Sequence, residues 1–246
     1  MRCIFRGSEG RPSREPASLK SNFTEPTING DTRKHQQPVT DPARQAYDEL
    51  AERYDTRWAR YLDATVGETL ARIDPRPGDR ILDLGCGTGH LLEGLAGGSG
   101  DLSLAGIDVS AEMLSQARGR LPPSVELVQG RVSALPFASR SFDLVVSSSS
   151  LHFWRRPEAA LREAVRILRP GGRLVISDWC RDFWIQKVRQ LYISRVDPAH
   201  HRTYTRKELR GMLERAGLRV ERIERYRALP TWGMMTAQAT RRPEGT

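Results

Sequence analysis

Residues Asp83–Gly89 read DLGCGTG, and this stretch decides how the rest of the chain is interpreted. It follows an apolar strand pattern, Arg80–Leu84, and leads into a helical pattern. Glycines at alternate positions allow a backbone turn to pass very close to a ligand. The helix that follows presents unpaired N–H groups and the positive end of its dipole. With a carboxylate leading into the turn, the stretch predicts a nucleotide-like binding site. Its G-x-G-x-G spacing differs from the G-x-G-x-x-G of dinucleotide-binding proteins, which leaves an NAD-dependent dehydrogenase as a distant alternative.

Strand and helix patterns alternate on both sides of this turn. The predicted strands are Arg80–Leu84, Leu102–Ile107, Val125–Gln129, Phe142–Ser147, Gly172–Asp178, Leu218–Arg225 and Trp232–Ala239. The predicted helices are Tyr47–Leu62, Val66–Ile73, Thr88–Leu95, Ala111–Arg120, Glu158–Leu168 and one behind the capping box Thr205–Glu208. Such alternation indicates a parallel sheet with right-handed crossovers. The last two strands are close enough to pair antiparallel. We therefore predict an α/β fold with a seven-stranded, mostly parallel sheet, helices on both faces and an antiparallel C-terminal edge strand.

Composition narrows the classes of protein that this chain can represent. The sequence contains no run of about 18 apolar residues, so we expect no membrane span. It has no apolar segment at its N-terminus, so we expect no secretory signal. The three cysteines are far apart, which is typical of reduced thiols in a cytoplasmic protein. Residues 1–40 contain four prolines and no apolar period, which predicts a disordered tail. The net charge is +9, and residues 181–246 carry +8 of it. These basic residues either lie on solvated surfaces of the fold or attract an acidic substrate, a nucleic acid or a membrane surface.

An acidic residue ends the second predicted strand. Asp108 lies about 20 residues past the glycine turn, where a carboxylate can accept hydrogen bonds from both hydroxyls of a ribose. The alternative is that Asp108 caps the next helix. Ser110 is the better cap because it directly precedes the helical pattern. We therefore expect Asp108 to bind ribose.

These features together resemble the class I S-adenosylmethionine (SAM)-dependent methyltransferases, and among them the small-molecule methyltransferases of the ubiquinone/menaquinone-biosynthesis type. The resemblance runs from about Tyr47 to Ala239 and is strongest over Arg80–Asp178. It implies a Rossmann-like fold, with SAM as co-substrate and no metal. It also implies a single domain over 41–246, divided into cap helices (41–78), a SAM-binding core (80–178), a substrate lid (179–204) and a C-terminal helix and strand pair (205–240). The cofactor residues that it implies are Asp83, Gly85, Gly87, Thr88, Gly89, Asp108, Met113, Arg131, Val132, Ser148 and Tyr54.

One position departs from the family pattern. The family usually has Asp or Asn where this chain has Arg131, and that side chain accepts a hydrogen bond from the adenine amino group. Arginine can only donate. The backbone N–H of Val132 can still reach the ring, and the guanidinium of Arg131 can stack on it. A catalytically degenerate SAM-binding protein is therefore an alternative to an enzyme.

His152 is the candidate general base, because it lies just past the fourth strand, at the carboxyl edge of the sheet. The alternative is a buried structural histidine. The adjacent His200 and His201 have no third ligand at a plausible spacing, so we expect no metal site. The lid that the resemblance implies carries an aromatic stripe interleaved with basic residues, which suits a bulky, partly apolar acceptor. Its candidate acceptor residues are Phe183, Trp184, Tyr192, His200 and Tyr204.

The leading interpretation is methyl transfer to a small-molecule acceptor, at oxygen, carbon or nitrogen. A nucleic-acid or protein methyltransferase is the alternative that the basic C-terminal third favours. Amino-group methylation of nucleobases commonly uses an Asn/Asp-Pro-Pro-aromatic motif after the fourth strand, where this chain has Ser147–Ser150. That region also lacks the cysteine that cytosine methylation needs, and no added RNA-binding module is recognisable. Nucleic acid is therefore not the expected partner. The oligomeric state does not follow from the sequence.

Overall fold

A single seven-stranded sheet organises the computed structural model, which describes residues 42–98, 100–196 and 200–243. The predicted tail, residues 1–40, lies outside the described residues. The strands are β1 (Arg80–Leu84), β2 (Ser103–Asp108), β3 (Glu126–Gln129), β4 (Phe142–Ser148), β5 (Leu168–Trp179), β6 (Leu218–Leu229) and β7 (Trp232–Arg241). Their order is β3-β2-β1-β4-β5-β7-β6. The first five strands pair in parallel, and β7 is antiparallel to both of its neighbours. The predicted fold class is confirmed, with β7 placed between β5 and the edge strand β6.

Helices cover both faces of this sheet. They are α1 (Pro42–Leu70), α2 (His90–Ala96), α3 (Ala111–Arg120), α4 (Pro157–Ile167), α5 (Trp184–Val196) and α6 (Arg206–Arg215). Alternate strand residues point to opposite faces, so neighbours such as Ile81 and Leu82 join different cores. Ile81 packs with apolar residues of α2 and α3. Leu82 packs with those of α4 and α6. Within the described part of the chain, no helix combines the length and the apolar character needed to cross a membrane.

The N-terminal segment differs from the prediction of two helices, Tyr47–Leu62 and Val66–Ile73. It forms one helix, α1, which ends at Leu70. Neither proline nor glycine interrupts the chain between the two predicted segments. The hydroxyl of Thr65 donates to the carbonyl of Tyr61 at 2.8 Å, and that of Thr69 donates to the carbonyl of Thr65 at 2.7 Å. The helix can therefore bury both threonines without leaving a hydroxyl unsatisfied.

Capping interactions confirm the predicted start of α3 and both predicted ends of α6. Thr205 and Glu208 form the predicted capping box at the start of α6. Gly217 follows that helix with φ of 92°, a left-handed conformation that glycine adopts without strain. Ser110 caps α3 by accepting a hydrogen bond from the N–H of Met113 at 3.0 Å. This cap leaves the neighbouring Asp108 available for another role.

Candidate active site

The glycine turn lies between β1 and α2 and is held against the end of β2. Gly85, Gly87 and Gly89 all have positive φ, at 73°, 53° and 87°. The N–H groups of Gly85 and Cys86 donate to the carbonyl of Ile107 at 2.8 and 3.1 Å. A Cβ on Gly85 would lie 2.2 Å from Oγ of Ser150, whereas one on Gly87 would meet nothing within 4 Å. Gly85 is therefore required by packing, and Gly87 keeps its backbone open to the cavity beside it.

Asp108, at the end of β2, holds this turn in place through a hydrogen bond to its backbone. Its Oδ2 accepts a hydrogen bond from the N–H of Gly87 at 2.9 Å, and its Oδ1 accepts one from the N–H of Ser110 at 3.0 Å. Burial raises the pKa of Asp108, while these backbone hydrogen bonds act to lower it. Each carboxylate oxygen has a second lone pair, so Asp108 can still accept hydrogen bonds from a ligand.

Asp83, near the end of β1, is more deeply buried than Asp108. It is 2% exposed, and its Oδ1 has no hydrogen-bond partner. Burial, and then the nearby charge of Asp108, raises the pKa of Asp83 to about 8. A buried carboxylate is stable only when it is paired. The site therefore favours a ligand that brings a positive charge to Asp83.

Most of the predicted cofactor residues line one cavity above the turn. Those in its lining are Asp83, Gly85, Gly87, Thr88, Asp108, Met113, Arg131, Val132, Ser148 and Tyr54. Gly89 is the exception: it faces away from the cavity, since a Cβ there would meet Cδ1 of Leu121 at 2.9 Å. The structure thus gathers residues from the ends of β1, β2 and β4 and from α1 around one space.

Helix α1 contributes a wall of this cavity and is tied to the glycine turn by Asp55. The Asp55 carboxylate accepts a hydrogen bond from the hydroxyl of Thr88 at 2.7 Å, lies 3.1 Å from Nε2 of His90 and forms an ion pair with Arg120. Burial raises the pKa of Tyr54, the preceding residue, far above its usual value, so its phenol stays neutral. Asp55 gave no local signal in the sequence, because its partners lie on other elements.

His152 lies in a short 3₁₀ turn, Leu151–Phe153, directly after β4, and is 1% exposed. Its Nδ1 lies 2.7 Å from Oδ1 of Asp178. Because an ionised carboxylate only accepts, Nδ1 donates to Asp178 in this pair, and Nε2 presents a lone pair in the neutral form of the ring. Nε2 is buried and has no hydrogen-bond partner. The ring stacks on Trp179 at 4.1 Å and contacts Phe153 at 4.0 Å. His152 does not line the cavity itself but lies behind Phe153, which does.

Four of the five predicted lid residues, Phe183, Trp184, His200 and Tyr204, are absent from the lining of this cavity, and the side chain of the fifth, Tyr192, lies outside the described part of the chain. Trp184 is 69% exposed on α5, and Tyr192 falls within the same helix. Phe183 and Tyr204 pack with the core on the α4 and α6 face. His200 is buried, with its ring 5.5 Å from that of His152. Of this set, only His200 has a described position beside the candidate base.

The chain is similar in sequence to known methyltransferases. A family model described as a methyltransferase domain matches residues 82–176. A ubiquinone/menaquinone biosynthesis C-methyltransferase, UbiE, from Xanthomonas campestris is 33% identical over 188 residues, covering 65% of this chain and 71% of that protein. This chain belongs to the UbiE-type family of SAM-dependent methyltransferases. A demethylmenaquinone methyltransferase from Renibacterium salmoninarum is 32% identical over 166 residues, covering 62% of this chain and 66% of that protein.

The structural comparison shows the same fold. A SAM-dependent methyltransferase from Thermotoga maritima superposes with a TM-score of 0.67 at 21% identity, covering 81% of this chain and all of that one. The chain therefore shares the methyltransferase fold.

The sequence matches cover only part of several relatives. Matches to four of them, UbiE-type and other, span between 39% and 66% of the relatives' own length.

Proposed function

We propose that this UbiE-type protein transfers the methyl group of SAM to a small-molecule acceptor by in-line displacement. The observation that carries the proposal is the pair of buried carboxyl groups at the glycine turn. Asp83 has an unpartnered oxygen and a pKa raised to about 8, so it suits a cationic ligand. Asp108 keeps acceptor capacity at the place where a ribose is expected. A ligand with a cationic amino acid end and a ribose satisfies both residues.

The remaining cavity residues have roles that fit this ligand. Gly87 allows close backbone approach, and Tyr54 and Thr88 border the methionine end together with Asp83. Met113 supplies an apolar wall for the adenine. Ser148 lies at the end of β4, beneath the place where the cofactor would sit.

Arg131 and Val132 line the cavity on the adenine side. In this assignment the N–H of Val132 donates to the adenine ring. The guanidinium of Arg131 stacks on it in place of the usual acceptor. SAM itself supplies an electrophilic methyl group when bound.

We assign His152 as the general base, oriented by Asp178. A hydroxyl or enol acceptor must lose a proton as the new bond forms, and Nε2 of His152 has the free lone pair to take it. Asp178 then stabilises the imidazolium through Nδ1, at 2.7 Å. A positioned base of this kind contributes roughly 10²–10⁴-fold in rate. The quinone-derived acceptors in the relatives' names support a small molecule.

The test is calorimetric titration with SAM and with S-adenosylhomocysteine. We expect micromolar binding in the parent protein. Asp108→Ala should lose it, since the ribose contacts and the tie to the turn both disappear. Asp101→Ala, an exposed acidic residue between α2 and β2, is the matched control and should bind as the parent does. If Asp108→Ala is folded and binds normally, the cofactor assignment is wrong.

A second measurement addresses the base. His152→Ala should bind SAM with unchanged affinity and turn over an identified acceptor at least about 100-fold more slowly. An unchanged rate would remove His152 from the reaction while leaving the cofactor site intact.

A further inference from the structure

A second group of buried polar atoms lies outside the cofactor cavity, under α5. Arg189 places its guanidinium carbon 3.9 Å from the centre of the Trp232 ring, and its Nη1 is buried without a hydrogen-bond partner. Gln186, one turn earlier, is 1% exposed. Its Nε2 donates to the carbonyl of Gly233 at 3.2 Å, and its Oε1 has no partner. A donor of Arg189 and an acceptor of Gln186 are therefore left unsatisfied, and the two side chains contact the adjacent residues Trp232 and Gly233 of β7.

This group is continuous with the candidate base. The rings of Trp232 and Trp179 are 5.1 Å apart, and Trp179 stacks on His152, whose Nε2 is the third unpartnered atom. The ring of His200 lies 5.7 Å from that of Trp179 and 5.5 Å from that of His152. The side chains of Arg189 and His152 are thus connected through two indole rings in contact.

Arg189 lacks a counter-ion among the described residues. Burial lowers the pKa of Arg189, and among the described residues Tyr61 acts to raise it. Burial raises the pKa of Tyr61 well above its usual range, so this phenol is neutral and cannot supply the missing charge. An unpaired, half-buried cation is costly, and an anionic ligand would relieve that cost.

We propose that this cluster is the acceptor subsite, and that the acceptor is a planar, hydroxylated carboxylic acid. Its carboxylate binds Arg189, its ring packs against Trp179 and Trp232, and its hydroxyl groups donate to Gln186 Oε1 and His152 Nε2. A guanidinium matches a carboxylate with two parallel hydrogen bonds, which an ammonium cannot do. This inference rests on the proposed methyltransferase function, because it names the class of molecule that the base would deprotonate.

The test uses aryl carboxylates and their neutral amides as probes. We would titrate the protein, saturated with S-adenosylhomocysteine, with 6-hydroxy-2-naphthoate and with 6-hydroxy-2-naphthamide, following tryptophan fluorescence. Trp179 and Trp232 lie in the subsite and report binding directly. We expect the carboxylate to bind about 10- to 100-fold more tightly than the amide, as for a hydrogen bond to a charged group.

Variants assign this preference to one residue. Arg189→Gln should abolish the difference between carboxylate and amide, and Arg189→Lys should keep only part of it. Lys187→Gln is the matched control: it removes the same charge from the exposed side of α5, two residues away, and should keep the full preference. Circular dichroism and thermal unfolding establish that each variant is folded.

The outcomes separate this proposal from the function on which it rests. Equal binding of acid and amide in the parent, or the same loss in Lys187→Gln as in Arg189→Gln, would overturn the subsite. Binding of S-adenosylhomocysteine does not involve Arg189 and should be the same in all of these variants. If the parent bound no S-adenosylhomocysteine, the proposed function would fail instead, whatever the acids did.

Discussion

Replacing Asp83 with asparagine tests the electrostatic basis of the cofactor site. In the free protein, Asp83 has a pKa of about 8, against an ordinary value of 3.8. Between these two values the folded state holds a proton that the unfolded state has released. The free energy of unfolding therefore falls as the pH rises, by about 1.4 kcal/mol per pH unit from this one group. Asp83→Asn is neutral at every pH and lacks this contribution.

Ligand binding should depend on pH in the opposite direction. A cationic ligand needs Asp83 ionised, so SAM affinity in the parent should rise up to about tenfold per pH unit between about pH 5 and 7. The asparagine variant should show no such rise, and its affinity at about pH 7 should be about 10- to 100-fold lower. The same substitution is thus expected to stabilise the free protein and to weaken the complex.

The two effects are measured by urea unfolding and by calorimetric titration across that pH range. Asp63→Asn, an exposed position on α1, is the control and should match the parent in both. Identical pH dependence of stability in the parent and in Asp83→Asn would show that Asp83 is not protonated in the folded state. Undiminished SAM affinity in the variant would show that no cation pairs with it.

Three further substitutions test the geometry around the site. Gly85→Ala should prevent SAM binding and lower the melting temperature, because its Cβ would lie 2.2 Å from Oγ of Ser150; a calorimetric titration that matches the parent would contradict the packing argument. Asp55→Asn should weaken SAM binding about tenfold by loosening α1 from the glycine turn, and an unchanged dissociation rate in stopped-flow fluorescence would count against this. Thr205→Ala should cost about 1 kcal/mol in urea unfolding through loss of the capping box, with SAM affinity unchanged; an equal cost in Arg210→Ala, a mid-helix control, would refute a capping effect.

The parts of the site that the sequence predicted are those built from neighbouring residues. The glycine turn and the strand before it form a continuous stretch, and Ser110 and the capping box at Thr205 are likewise local signals. Local reasoning failed at α1, where two helices were expected. There the buried threonine hydroxyls satisfy themselves along the helix, so a polar stretch continues instead of ending.

Partnerships between distant residues carried no such signal. His152 was a candidate from its place after β4, but its partner Asp178 lies at the end of the adjacent strand, and only the parallel pairing of β4 with β5 brings them together. In the same way Tyr61 on α1 meets Trp179 on β5, with the indole N–H donating to the phenol oxygen at 2.7 Å. These contacts depend on strand order, which periodicity does not specify.

Asp83 and Arg189 are ionisable groups without a counter-ion among the described residues, and their charged forms have opposite signs. Asp83 and Asp108 line the cavity at the glycine turn, whereas Arg189, on α5, packs its guanidinium on the Trp232 ring. In the proposed complex, a cationic co-substrate is favoured in the first region and disfavoured in the second, and an anionic acceptor behaves in the reverse way. Each ligand relieves a cost that the folded protein already carries, so binding of the wrong ligand at either position would bury two like charges. In the proposed complex this separation of charge gives each reactant its own place, while the accepting atom must still meet the methyl group of SAM for in-line transfer.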